Sequence, residues 1–240
     1  MNKFTFIMTS AINTKFGIFT GQQRFTQTEN TIKSIRSRVP NSEIIFLEMS
    51  GLPLESEQKT QITNLVDLII DYTGNSHVQD LYNSTDNWDV VKNVNEVTCF
   101  GQALRTLTAD NRFENSKRIF KISGRYTLND YFDIDLYHNP AIFDKFVLAK
   151  MRTSQFNTSI TGGIVHQFMS RLWSWPQGRT VEVISVYDNM LNLMFDRLRK
   201  GGYIDIEHGL FRLLDHDHVH QVDLIGIQGN IGPNGVKVSD

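Results

Sequence analysis

The residues best suited to chemistry stand in short polar stretches that interrupt apolar runs. Ser123-Gly-Arg-Tyr126 follows the apolar run Arg118 to Ile122. Gly124 lets backbone approach a ligand closely, and Arg125 offers a planar fork of donors suited to phosphate or carboxylate. The other reading of these residues is a tight turn whose arginine makes a structural ion pair. Thr9-Ser-Ala-Ile-Asn13 and Asp71-Tyr-Thr-Gly-Asn75 hold equivalent positions after other apolar runs, which makes Ser10 and Asn13 candidate ligand contacts. Asp205, Glu207 and His208 follow the glycine break Gly201-Gly202 and combine carboxylates with an imidazole. Such a group can hold or move a proton, or simply place acids at the favourable end of a helix.

Asp215-His-Asp-His-Val-His220 invites a metal reading, because His216, His218 and His220 share one face of an extended chain. A hydrophilic turn is the alternative. Asp133-Ile-Asp135 is the nearest literal Asp-x-Asp and reads better as a capped turn. Gly162 and Gly163 either bring backbone amides to a ligand or form a hairpin turn. Trp173 and Trp175 lie on one side of a strand, where they stack on a ring or pack in the core. Cys99 sits in an apolar helical stretch and carries no nucleophilic arrangement. Gly229-Asn-Ile-Gly-Pro-Asn-Gly235 has glycines but no following helix, so it lacks what makes such a loop bind phosphate.

Positioning these groups requires an α/β sheet. Strands are expected at 4–8, 43–48, 66–71, 118–122, 143–151, 166–175 and 219–227. Helices are expected at 26–38, near 55–65, at about 90–108, at 181–199 and at 205–214, with a loop over 74–88. Strands alternating with helices imply a mostly parallel, mixed central sheet flanked by helices. In such sheets ligands bind beyond the carboxyl ends of the strands. The 240 residues, 40% hydrophobic and 21% charged, read as a single domain. A net charge of -2 leaves no footprint for nucleic acid. No run approaches the ~20 apolar residues of a membrane span. With one cysteine and no signal-peptide core, a cytoplasmic location is expected.

Several of these stretches resemble GT-A-type glycosyltransferases, the nucleotide-diphospho-sugar transferase-like fold. Gln23 to Arg36, with its Thr-Ile-Lys-Ser-Ile pattern before Pro40 and the strand Glu43 to Glu48, is similar to their opening unit. Ile119-Phe-Lys-Ile-Ser-Gly-Arg-Tyr126 resembles a stretch in a bacterial and phage group, as do Ile206-Glu-His-Gly-Leu-Phe211 and Leu224-Ile-Gly-Ile-Gln-Gly229. The resemblance implies a GT-A-like single domain, with 1–130 as the nucleotide-binding half and 131–240 as the acceptor and catalytic half. It implies sugar transfer from a nucleotide-sugar donor to a saccharide acceptor, as in polysaccharide biosynthesis. Donor contacts would be Ser10, Asn13, Lys92, Ser123, Gly124 and Arg125, and acceptor contacts Gly162, Gly163 and Trp173. Glu207, or Asp205 on the same turn, would be the general base. Most of the family hold Mn²⁺ or Mg²⁺ on an Asp-x-Asp at the end of the fourth strand, with a C-terminal histidine such as His218 completing the shell. Here Ser123-Gly-Arg125 stands in that place, so no cofactor is assigned and Arg125 is expected to meet the phosphates. The alternatives are a nucleotide- or carbohydrate-binding domain on the same fold, or another Rossmann-like transferase.

Overall fold

The computed structural model describes residues 3–232 and 234–240. Strands β1 (Lys3–Ser10), β2 (Glu43–Glu48), β3 (Leu68–Asp71) and β4 (Ser116–Ser123) are mutually parallel, β1 lying between β2 and β4. Helices α1 (Gly21–Arg38) and α2 (Ser56–Thr63) connect the first three strands, and α3 (Ser76–Ser84) and α4 (Trp88–Ala109) lead into the fourth. After the short β5 (Tyr126–Leu128) come β6 (Phe146–Ala149), β7 (Arg152–Thr153), the single turn α5 (Thr158–Thr161), β8 (His166–Gln167) and β9 (Leu172–Pro176). The chain then runs through α6 (Thr180–Arg199), α7 (Ile206–Leu213), β10 (Val219–Val222), β11 (Ile227–Asn230) and β12 (Lys237–Ser239). The main sheet has seven strands in the order β10-β6-β9-β4-β1-β2-β3. Within it β9 runs antiparallel to both β4 and β6. Strands β12, β11 and β5 form a second antiparallel sheet, and β7 pairs with β8.

The central strands β1, β2, β4, β6 and β9 are buried on both faces, and side-chain alternation divides the core in two. Phe4, Phe6 and Met8 of β1, Phe46 of β2 and Phe120 of β4 face α1, which contributes Phe25, Ile32 and Ile35. Phe6 stacks on Phe120 with ring centroids 4.5 Å apart. Ile7, Ile45 and Ile119 point the other way, towards Phe100 of α4 and Tyr187 of α6. No helix among the described residues is long and apolar enough to cross a membrane.

Several expected boundaries move for local reasons. Helix α1 begins at Gly21 rather than Thr26 because Thr20 and Gln23 form a reciprocal capping box. The stretch 74–88 is not wholly loop: Asn75 caps α3, which buries only Val78 and Tyr82, too thin a stripe to show as periodicity. The strand expected at 143–151 shortens to β6, and that at 166–175 splits into β8 and β9 around 168–171. The final strand likewise divides into β10 and β11. Asp133 does cap a turn, accepting from the Asp135 amide at 2.9 Å.

Candidate active site

A cleft opens beyond the carboxyl ends of β1, β2 and β4, where the connections diverge. It has two chambers. The first, of about 100 Å³, lies against Ser10, Phe16, Met49, Tyr82 and Val91. The second, of about 390 Å³, is lined largely by charged and polar groups, among them Asp89, Lys121, Arg171, Asp205 and Glu207. Trp88, Lys92, Glu96, Ser123 and Arg125 border both chambers. Trp88, Lys92 and Glu96 are spaced four apart on α4 and therefore form one stripe along the cleft.

The first chamber is shaped by the loop after β1. Glu48 is fully buried at the end of β2 and accepts from the amides of Ile12 (3.1 Å) and Ser50 (3.0 Å). Burial pushes its pKa up, opposed by those hydrogen bonds. Arg24, buried on α1, donates to the carbonyls of Phe19, Ala11 and Phe16 and so gathers the loop around its guanidinium. Burial, then repulsion from Arg125, lowers its pKa to about 10. Gly17 has φ +81°, and a Cβ there would sit 2.6 Å from the Arg24 guanidinium. Tyr82 closes the far wall: its hydroxyl accepts from the Lys15 amide at 2.6 Å and its ring meets Phe16 edge-on.

The floor between the chambers is a buried ion pair. Lys121 Nζ lies 2.6 Å from Glu96 Oε1 and donates to the Ser170 carbonyl at 2.9 Å. Thr9 Oγ1 donates to the same Glu96 oxygen at 3.1 Å. Burial disfavours the Glu96 charge, but Lys121, Lys92 and Arg125 together outweigh it and hold its pKa below the usual range. Ser170 Oγ in turn donates to Glu207 Oε1 at 2.5 Å.

The pKa values of Glu207 and Asp205 are displaced in opposite directions. Burial, reinforced by the Asp205 charge, raises Glu207. Burial also opposes the Asp205 charge, yet the hydrogen bond and attraction to His208 outweigh it and lower Asp205. Asp205 caps α7 through the His208 amide (3.0 Å) and meets His208 Nδ1 at 2.5 Å. His208 Nε2 lies 2.8 Å from Ser154 Oγ. This line of Asp205, His208 and Ser154 has the connectivity of a hydrolytic triad. However, Ser154 Oγ is also bonded to the backbone of Phe156 and borders neither chamber. It acts as a strut that fixes the segment carrying Gln155 and Phe156 against the second chamber.

The fold brings Ser10, Lys92, Ser123, Arg125, Asp205 and Glu207 to one cleft. Among the described residues neither Lys92 nor Arg125 makes a side-chain hydrogen bond or ion pair. Arg125 Nε is buried without a partner, and the guanidinium lies 5.9 Å from the Tyr126 ring centroid. A structural ion pair at Arg125 is therefore not what the fold contains. The remaining residues lie elsewhere. Gly124 backs the cleft, but its amide donates to the Thr9 carbonyl at 2.8 Å. Asn13 turns away and donates to Pro53 O and Gln58 Oε1, both at 2.8 Å. Gly162 (φ +70°) and Gly163 (φ +92°) close α5, with both amides directed at the Thr158 carbonyl, and Gly162 packs by Arg197. Trp173 has no exposed surface and packs on Trp175 with centroids 4.7 Å apart, so its ring is core. His218 pairs with Asp215 at 2.8 Å, bordering neither chamber. Among the described residues no three of His, Cys, Asp and Glu come together to hold a metal.

Sequence reasoning passed over six residues that border the cleft. Lys121 and Glu96 were visible only as a charge inside an apolar strand and an acid inside a buried helix. Trp88 stood in the stretch assigned to loop. Ile231, Gly232 and Asn234, in the glycine-rich segment set aside above, reach the cleft beside Arg125 although no helix follows them. Pro233 of that segment lies outside the described residues.

No family model and no curated protein matches the sequence. Solved structures do match. The mannosyltransferase Ktr4p of S. cerevisiae aligns over 92% of this chain and 69% of its own, with a TM-score of 0.51 and 10% identity. Core-mannan synthase A of Aspergillus fumigatus covers 100% and 78% (TM-score 0.46, 12% identity). The 4-diphosphocytidyl-2C-methyl-D-erythritol synthase of Anaerococcus prevotii covers 100% and 91% (TM-score 0.44, 13% identity). The chain has a GT-A-like fold. At such identity the likeness concerns fold alone, and the chemistry must be argued from the cleft.

Proposed function

We propose that this chain is a glycosyltransferase that moves a hexosyl unit from a nucleoside diphosphate sugar to a saccharide acceptor. The observation that carries the reading is a pair of cations, Arg125 and Lys92, that make no side-chain hydrogen bond or ion pair among the described residues and border both chambers beside the buried Glu207. A diphosphate satisfies both cations, with its nucleoside in the first chamber and its sugar in the second. The donor side is then built mainly from residues 1–130, with Ser10 and Ser123 as further contacts, and the acceptor side draws on 131–240. The Ile119 to Tyr126 stretch that resembles the bacterial and phage group supplies Lys121, Ser123 and Arg125 to the same place.

In this mechanism the acceptor hydroxyl oxygen attacks the anomeric carbon. The new carbon–oxygen bond forms as the bond to the donor phosphate breaks, and its electron pair leaves on the nucleoside diphosphate. Arg125 and Lys92 meet the charge that develops there, the work a divalent cation would do on an Asp-x-Asp. Glu207 takes the hydroxyl proton, since burial holds its pKa nearer to the working range of a general base. Asp205 stays ionised, pinned by His208. A single displacement of this kind inverts the anomeric centre.

Thermal-shift screening with UDP, GDP, CMP, their sugars and S-adenosylmethionine tests the reading, followed by transfer assays on any stabilising nucleotide sugar. The expected result is stabilisation by a nucleoside diphosphate and turnover that persists in EDTA. Turnover abolished by EDTA and restored by Mn²⁺ or Mg²⁺ would overturn the role given to the two cations. Stabilisation by S-adenosylmethionine alone would overturn sugar transfer altogether, and binding without transfer or hydrolysis would leave a nucleotide-binding domain.

A further inference from the structure

We infer that Trp88 is the platform on which a sugar ring of the substrate stacks, at the junction of the two chambers. The inference rests on the proposed function and deepens it. The protein has three tryptophans. Trp173 and Trp175 have no exposed surface and belong to the core. Trp88 alone is half-buried, and it borders both chambers. Its backbone is held at the first position of α4, where Asn87 caps the helix by accepting from the Val90 amide. Lys92, one turn along, carries its ammonium 6.0 Å from the Trp88 ring centroid. The ring therefore stands beside a cation assigned to phosphate, between an apolar chamber and a polar one.

A ring in that place meets whatever flanks the phosphates. In a nucleoside diphosphate sugar both flanking groups are sugars, the ribose on one side and the hexose on the other. The C–H face of either stacks on an indole, while hydroxyls at the ring edge remain free for the acids and bases of the second chamber. The shared chemistry is a sugar ring joined to a diphosphate.

Tryptophan fluorescence, excited selectively over tyrosine, reads this directly, because two of the three indoles are shielded in the core. The wild-type protein is titrated with UDP and GDP and then with their hexose conjugates, following emission and protection from acrylamide quenching. Thermal stabilisation is recorded in parallel. The same titrations are run on Trp88→Phe. The expected result is an emission change and protection in the wild type that Trp88→Phe lacks, with ligand binding weakened roughly two- to tenfold. A change already complete with the nucleoside diphosphate assigns the ribose, and one that needs the conjugate assigns the hexose. Stabilisation by the conjugate with unchanged emission and quenching would overturn the inference and leave the proposed function standing. An identical change in Trp88→Phe would do the same, by tracing the signal to the core. No stabilisation by any nucleotide would remove the proposed function and this inference with it.

Discussion

Glu207 in the first turn of α7 and Asp205 at its N-cap, two positions earlier, have pKa values displaced in opposite directions, which is how a site separates a proton acceptor from a fixed charge. In the proposed mechanism Glu207 must be ionised to accept a proton, so activity is expected to fall as pH drops through its pKa. Because burial raises that pKa, the acid limb of the kcat profile is expected above the range of a free glutamate, about 4.3. Glu207→Gln should lower kcat by about 100- to 10,000-fold and leave nucleotide stabilisation intact. Asp205→Asn removes a charge that raises Glu207, so the limb should move to lower pH; a limb that stays put would dissociate the two groups. Lys121 and Glu96 form a different kind of pair, deep in the floor. Lys121→Met should cost about 3–5 kcal/mol by denaturant titration, because Glu96 is left buried without its ion-pair partner. Adding Glu96→Gln should recover most of that loss. Arg125, Ser123 and Glu207 were legible in the sequence because each follows a recognisable break in an apolar run. Lys121 and Glu96 were not, since their meaning comes from a contact between β4 and α4 that no local pattern encodes.

At the scale of elements, α3 shows what a short helix can do without announcing itself. Only Val78 and Tyr82 are buried, yet Tyr82 walls the first chamber and anchors the loop after β1 through the Lys15 amide. Its ring lies directly over Gly51, and a Cβ at Gly51 would overlap the ring atoms. Gly51→Ala should therefore displace Tyr82. The expected cost is about 1–3 kcal/mol in unfolding titrations, with weaker nucleotide stabilisation. The glycine-rich segment before β12 gives the converse lesson. Reading it as unable to bind phosphate followed from the missing helix, and that reasoning concerns one motif only. Its position depends on β11 pairing with β5 and β12, which brings Ile231, Gly232 and Asn234 to Arg125 from a distant part of the sequence.

For the whole molecule, the mixed sheet with its largely parallel strands was readable from the alternation of apolar runs and helices. The reversal at β9 was not, because strand direction leaves no trace in composition or periodicity. The register of β9 on β4, with Trp175 opposite Ile119 and Trp173 opposite Lys121, places both rings on the face covered by α4 and α6, and it explains why a ring expected to meet ligand became core. Trp173→Ala should cost about 3–5 kcal/mol, lowering Tm by roughly 6–20 °C in calorimetry. A loss of ligand binding without loss of stability would contradict its place in the core.

The four-residue spacing of Trp88, Lys92 and Glu96 along α4 has one more consequence. At about 1.5 Å per residue the stripe is roughly 12 Å long, so under the proposed function a single helix would serve as a ruler against which the length of the bound molecule is read. Each graduation is fixed by the pitch of the helix. One residue added between Lys92 and Glu96 would keep every side chain in the sequence, yet turn the last mark by roughly 100° and leave the ruler misread.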